Sequence, residues 1–131
     1  LFLKKVDLFE HIPPNDLAVI ARISAEETIP KNRLIFKEND PGDSLYLIVD
    51  GNVRIHKGEL SFAEMANGQV FGDMAILDSE SRSASATADV ETVLLKIDRE
   101  DFHELLHEKP IISLGIIKVL CGRLRAANKR S

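Results

Sequence analysis

Tryptophan is absent from this chain, and tyrosine and cysteine occur once each. The single cysteine, Cys121, cannot close an intrachain disulfide and suits a reducing compartment. Nowhere do 18 apolar residues follow one another, so no membrane-spanning helix is expected. The residues from Leu1 onward lack the charged-then-apolar layout of a secretion signal, and the expected location is cytoplasmic. Without an initiator methionine, the chain reads as a segment excised from a longer protein. Candidates for catalysis are equally scarce. Cys121 lies in an apolar helical stretch, and no Gly-x-Ser-x-Gly elbow occurs. His103 and His107 stand four apart, the spacing of two zinc ligands on a helix, but no suitable third ligand follows nearby. The expectation is a protein that is not an enzyme and carries no metal or other cofactor.

What is present fits one domain over residues 1–131. Hydrophobic residues make up 44% of the 131, enough for a sizeable core. The net charge of -4 conceals an uneven distribution, because residues 109–131 hold Lys109, Lys118, Arg123, Arg125, Lys129 and Arg130 and no acid. Such a tail can meet nucleic acid, but cations near a helix C-terminus also complement its dipole. Residues 128–131 leave no room for a helix-turn-helix, so nucleic-acid binding is not expected of this segment.

Periodicity divides the chain into three zones. Residues 1–24 read as helical, with Pro13-Pro14-Asn15-Asp16 opening a stretch through Leu17, Ile20 and Ile23. Residues 25–98 change to short apolar runs separated by turn signals at Asn39 to Asp43, Asp50-Gly51-Asn52, Lys57-Gly58 and Asn67-Gly68, which predicts a sandwich or barrel of short strands. In one of them Leu45, Leu47 and Val49 alternate with Tyr46 and Ile48, so both faces should be covered. Asp50-Gly51 suggests a tight hairpin into Val53 and Ile55. Residues 99–128 return to the helical period, with Asp98 as a cap and Pro110 between two helices. Ile111, Ile112, Leu114, Ile116 and Ile117 surround the start of the last helix, which predicts burial all round. Gly115 and Gly122 mark one face open to close approach.

The densest functional signal is Phe71-Gly72-Asp73-Met74-Ala75-Ile76-Leu77, followed after four residues by Arg82-Ser83-Ala84. Gly72 lets backbone come close to a ligand, and the amides opening a short helix favour an anion. Arg82 can give a phosphate two parallel hydrogen bonds, unless it pairs with Asp73, Asp78 or Glu80. Asp73, an acceptor only, suits ribose hydroxyls. Together these are the parts that hold a sugar phosphate.

This run resembles the phosphate-binding cassette of cyclic nucleotide-binding domains, found in catabolite-activator-type regulators, kinase regulatory subunits and cyclic-nucleotide-gated channels. Pro41-Gly42-Asp43, Gly51, Asn67-Gly68 before Val70-Phe71 and the closing helices extend the resemblance over roughly residues 6–127. It implies a mainly β fold, an eight-stranded double-sheet jelly-roll barrel, cupin-like, with N-terminal helices and two C-terminal helices. It further implies a ligand, cAMP or cGMP, held by Gly72, Asp73, Met74, Ala75, Arg82 and Ser83. Val70, Phe71 and Ala84 would line the pocket, and Cys121, Leu124 and Arg125 of the last helix would meet the base. Occupancy would be signalled by movement of the C-terminal helices to an effector or output domain, with a homodimer formed through the last helix. Asp73 stands where the family usually has glutamate, which shortens the reach by about 1.3–1.5 Å. A degenerate barrel that binds nothing and serves in dimerisation or docking is the alternative.

Overall fold

The computed structural model describes residues 2–78 and 80–130. Two short 3-10 turns (Phe2–Lys5 and Asp7–Phe9) precede helix α1 (Pro14–Arg22). Strands β1 (Ser24–Ile29), β2 (Leu34–Phe36), β3 (Ser44–Asp50), β4 (Val53–Lys57), β5 (Leu60–Met65) and β6 (Val70–Phe71) follow. Helix α2 (Asp73–Asp78) interrupts them before β7 (Ser85–Ala88) and β8 (Thr92–Asp98), and the chain closes with α3 (Arg99–Glu108) and α4 (Pro110–Arg130). The strands form two antiparallel sheets of four, ordered β1-β8-β3-β6 and β2-β7-β4-β5. This is the double-sheet jelly-roll barrel with flanking helices that the sequence suggested.

Strand β3 shows why the barrel needs its helices. Alternate side chains of a strand point to opposite faces. Leu45 and Leu47 join Ile97, Val70 and the helical residues Leu8, Phe9, Ile20, Phe102, Ile112 and Ile116 in one buried cluster. Tyr46 and Ile48 join Val53, Phe71, Ala86 and Leu94 between the sheets. Fully burying one such side chain stabilises by about 1.5–3 kcal/mol, so covering only one face would forfeit much of the core.

Three expectations change here. Asp50-Gly51-Asn52 does not close a hairpin, because β3 pairs with β6 and β8 while β4 pairs with β5 and β7. The link carries the chain from one sheet to the other. Gly51 has φ 137°, and a Cβ there would lie 2.4 Å from Thr92 Oγ1, so close packing against β8 accounts for the glycine. The hairpin with a two-residue loop is the one at Gly58-Glu59, with Lys57 opposite Leu60.

The start of α4 is also less buried than predicted. Ile112, Ile116 and Val119 are buried, whereas Ile111, Leu114 and Ile117 are half or more exposed, as is Leu124. The domain contacts a single side of α4, so residues out of phase with Ile112 face outward whatever their hydrophobicity. Gly115 does permit close approach, since a Cβ there would meet Ile12 Cγ1 at 3.0 Å, but nothing stands within 4 Å of a Cβ at Gly122. Asp98 occupies the cap position of α3 without making a side-chain cap bond. Among the described residues, no helix is long and apolar enough to cross a membrane.

Candidate ligand-binding site

The site begins with the way the backbone fixes Arg82. Its N–H donates to Asp40 O at 2.9 Å, and its carbonyl accepts from Asn39 N–H at 2.8 Å. Asn39 takes the left-handed conformation (φ 74°) that asparagine tolerates, and the Asp40 carboxylate accepts from Lys37 N–H at 3.0 Å. The turn before β3 thus anchors the residue that opens the approach to β7.

From that anchor the side chain runs inward and is 3% exposed. Nη1 donates to Gly72 O at 2.8 Å and Nη2 to Ser44 O. The guanidinium carbon lies 4.1 Å from the centroid of the Phe36 ring, and Asp43 Oδ1 is 3.8 Å from Nη2. Burial pushes the Arg82 pKa below its ordinary value, while Tyr46, Asp43 and Asp40 pull it back. The guanidinium keeps its proton. Charge-assisted hydrogen bonds of about 1.5–3 kcal/mol each offset part of the desolvation cost. Nε is buried with no hydrogen-bond partner among the described residues.

Gly72 is required by this packing. Its φ is 78°, and a Cβ built on it would lie 2.7 Å from Arg82 Nη1. Beside them opens a cavity of about 510 Å³, lined by Val70, Phe71, Gly72, Asp73, Arg82, Ser83 and Ala84 together with Phe36, Ile55 and Met65. That volume falls within the range of small-molecule sites. Asp78 and Glu80 also line it, but both are exposed, so water screens their charge. Met74 and Ala75 lie in α2, and their side chains fall outside the described residues.

Asp73, the first residue of α2, is 7% exposed, and its Oδ2 lies 3.7 Å from Arg123 Nη1 of α4. Arg123 Nη2 is in turn 3.5 Å from Asp7 Oδ2 in the second 3-10 turn. Cys121, Leu124 and Arg125 are exposed and do not line the cavity, contrary to expectation. Helical phase explains the difference. Arg123 follows Ile112, Ile116 and Val119 at three- and four-residue steps on the inner face, whereas Cys121 and Leu124 continue the outward stripe of Leu114 and Ile117. Phe36, Ser44 and Arg123 were missed in the sequence. Ser44 acts through its carbonyl, which residue type does not disclose. Arg123 would have emerged from carrying the Ile112 and Ile116 phase through the basic tail.

Residues 26–109 match the family model described as the cyclic nucleotide-binding domain. The chain belongs to the cyclic nucleotide-binding domain family. It is similar to the cyclic AMP receptor protein of Thermus thermophilus, with 34% identity over 131 residues covering 96% of this chain and 61% of that protein. It is also similar to the CRP-like cAMP-activated global transcriptional regulator of Mycobacterium tuberculosis, at 29% identity covering 96% and 58%. The N-terminal domain of a transcriptional regulator from Streptomyces coelicolor superposes with a TM-score of 0.86 at 25% identity, covering 98% of this chain and 96% of that one. This cyclic nucleotide-binding domain therefore spans about three-fifths of the length of the curated relatives named here.

Proposed function

We propose that this domain binds a cyclic nucleotide, cAMP or cGMP, and reports its occupancy through the C-terminal helices. The observation that carries the reading is Arg82: a buried, permanently charged fork beside Gly72, lining the cavity, with Nε–H lacking an acceptor among the described residues. A phosphate oxygen would satisfy that donor and neutralise the buried charge. Asp73 would accept from a ribose hydroxyl, with Gly72 and Ser83 at the phosphate and the apolar wall of Ile55, Met65 and Ala84 beside the base. The relatives named for cyclic AMP favour cAMP.

Arg123 supplies the route to the helices. It contacts the cassette at Asp73 and the N-terminal turn at Asp7, so a ribose drawing on Asp73 changes a contact that holds α4 in place. Lys109 separates α3 from α4, and Pro110, the first residue of α4, serves as the hinge. A dimer through α4 is the accompanying assembly. Leu114, Ile117, Cys121 and Leu124 recur at steps of three, four and three on the outward side of the helix, the spacing of a coiled-coil seam. A partner for this domain would be an output segment of the same chain or of a second copy.

Titration of native protein and of Arg82→Ala with both nucleotides tests the reading. The variant should lose most of the affinity. Its melting is followed in parallel, because the Arg82 side chain also closes onto Gly72 and Ser44. Arg82→Lys, which keeps the charge and loses the fork, should fall between the two. Equal affinity in all three would place the phosphate elsewhere.

A further inference from the structure

Arg82 is held on three sides, and the third side is a ring rather than a hydrogen bond. The Gly72 and Ser44 carbonyls take Nη1 and Nη2, which fixes the outer end of the guanidinium but leaves its plane free to tip about the line between them. The Phe36 ring, with its centroid 4.1 Å from the guanidinium carbon, removes that freedom. Phe36 lies at the end of β2 and is itself braced, with ring centroids 6.0 Å from Tyr46 and 6.0 Å from Phe71. Tyr46 and Phe71 stack at 5.2 Å with an interplanar angle of 13°. Both belong to the buried cluster between the sheets, so the brace continues into the core. A guanidinium over a desolvated aromatic face is attracted by the ring's negative quadrupole.

We infer that Phe36 is a positioning residue for ligand binding, setting the plane of the Arg82 fork so that it meets the phosphate already aimed. The inference rests on the proposed phosphate role of Arg82. It follows that Phe36 acts on the part of the ligand that carries charge and has less effect on a ligand without phosphate. Pre-orientation of this kind raises affinity by lowering the ordering cost of binding. The ordering cost spared for one long side chain corresponds to about a two- to tenfold change in dissociation constant.

The test compares native protein with Phe36→Leu and Phe36→Tyr, titrated with cAMP, with cGMP and with the uncharged nucleoside adenosine, and melted to establish folding. Phe36→Leu, which keeps an apolar side chain at the cavity wall, should weaken binding of the preferred cyclic nucleotide about two- to tenfold more than it weakens binding of adenosine. Phe36→Tyr keeps the ring face and should retain more cyclic-nucleotide affinity than the leucine variant. Native affinity in Phe36→Leu overturns the inference. So does a parallel loss for adenosine, which would make Phe36 part of a general apolar wall, and so does equal loss in the two variants. A native protein that binds neither cyclic nucleotide overturns the reading of the site and this inference with it.

Discussion

Substituting Gly72 by alanine separates the two demands this position meets. The first is conformational. With φ at 78°, a non-glycine residue costs about 1–2 kcal/mol from contact between Cβ and the following carbonyl. In a domain of 131 residues that corresponds to a fall in melting temperature of roughly 3–10 °C. The second is steric. The new methyl group would sit 2.7 Å from Arg82 Nη1 and 3.4 Å from both Arg82 Cζ and Ser44 O, so the guanidinium must yield by several tenths of an ångström. The fork would then leave the Gly72 carbonyl and the aim it has in the native protein. Loss of one charge-assisted hydrogen bond to phosphate is worth about 1.5–3 kcal/mol, or roughly a ten- to hundredfold drop in affinity. Differential scanning calorimetry gives the first effect and isothermal titration the second. Gly51→Ala serves as the comparison, because its Cβ would press on Thr92, away from the cavity, and should cost stability with little change in the affinity of the folded fraction. Native melting and native affinity in Gly72→Ala would show that this position meets neither demand. Lowered melting with native affinity would show that Arg82 does not hold the ligand.

Asp73→Glu restores the missing methylene and should tighten nucleotide binding by about tenfold or more, read by titration; unchanged affinity would mean that the ribose does not contact this position. Arg123→Ala removes the tie between α4 and both Asp73 and Asp7, and hydrogen exchange in the second half of α4 should accelerate relative to native. Protection equal to native would show that the helix is held by its apolar face alone. Leu114→Glu with Ile117→Glu places like charges along the outward stripe and should abolish self-association in sedimentation, with native nucleotide affinity per chain; persistence of a dimer would locate its interface elsewhere. Leu47→Ala empties a fully buried site between barrel and helices and should cost about 2–5 kcal/mol in urea denaturation, against less than 1 kcal/mol for alanine at the exposed Leu60.

The parts legible in the sequence were those written in local pattern. Apolar residues on both faces of β3 implied two layers of cover, and the barrel interior and the helices supply them. Turn glycines marked breaks between strands, but they do not state which strands pair, and so Gly51 read as a hairpin although it leads from one sheet to the other. Helical periodicity located α4, yet hydrophobicity alone placed Ile111, Leu114 and Ile117 inside when the domain covers a single side of the helix. The cavity wall at Gly72, Asp73 and Arg82 was legible because these residues lie within a dozen positions of one another. Its supports were not, since Ser44 contributes a carbonyl from 38 positions away and Phe36 a ring face from another strand. Long-range partners of this kind depend on topology, which one sequence does not spell out.

Every binding prediction here requires a cyclic nucleotide to occupy the cavity beside Arg82. Isothermal titration of the native protein with cAMP and with cGMP, carried to millimolar concentration, tests it most directly. Saturable heat, with one site per chain, is expected for at least one of the two. No saturable binding of either nucleotide would contradict it.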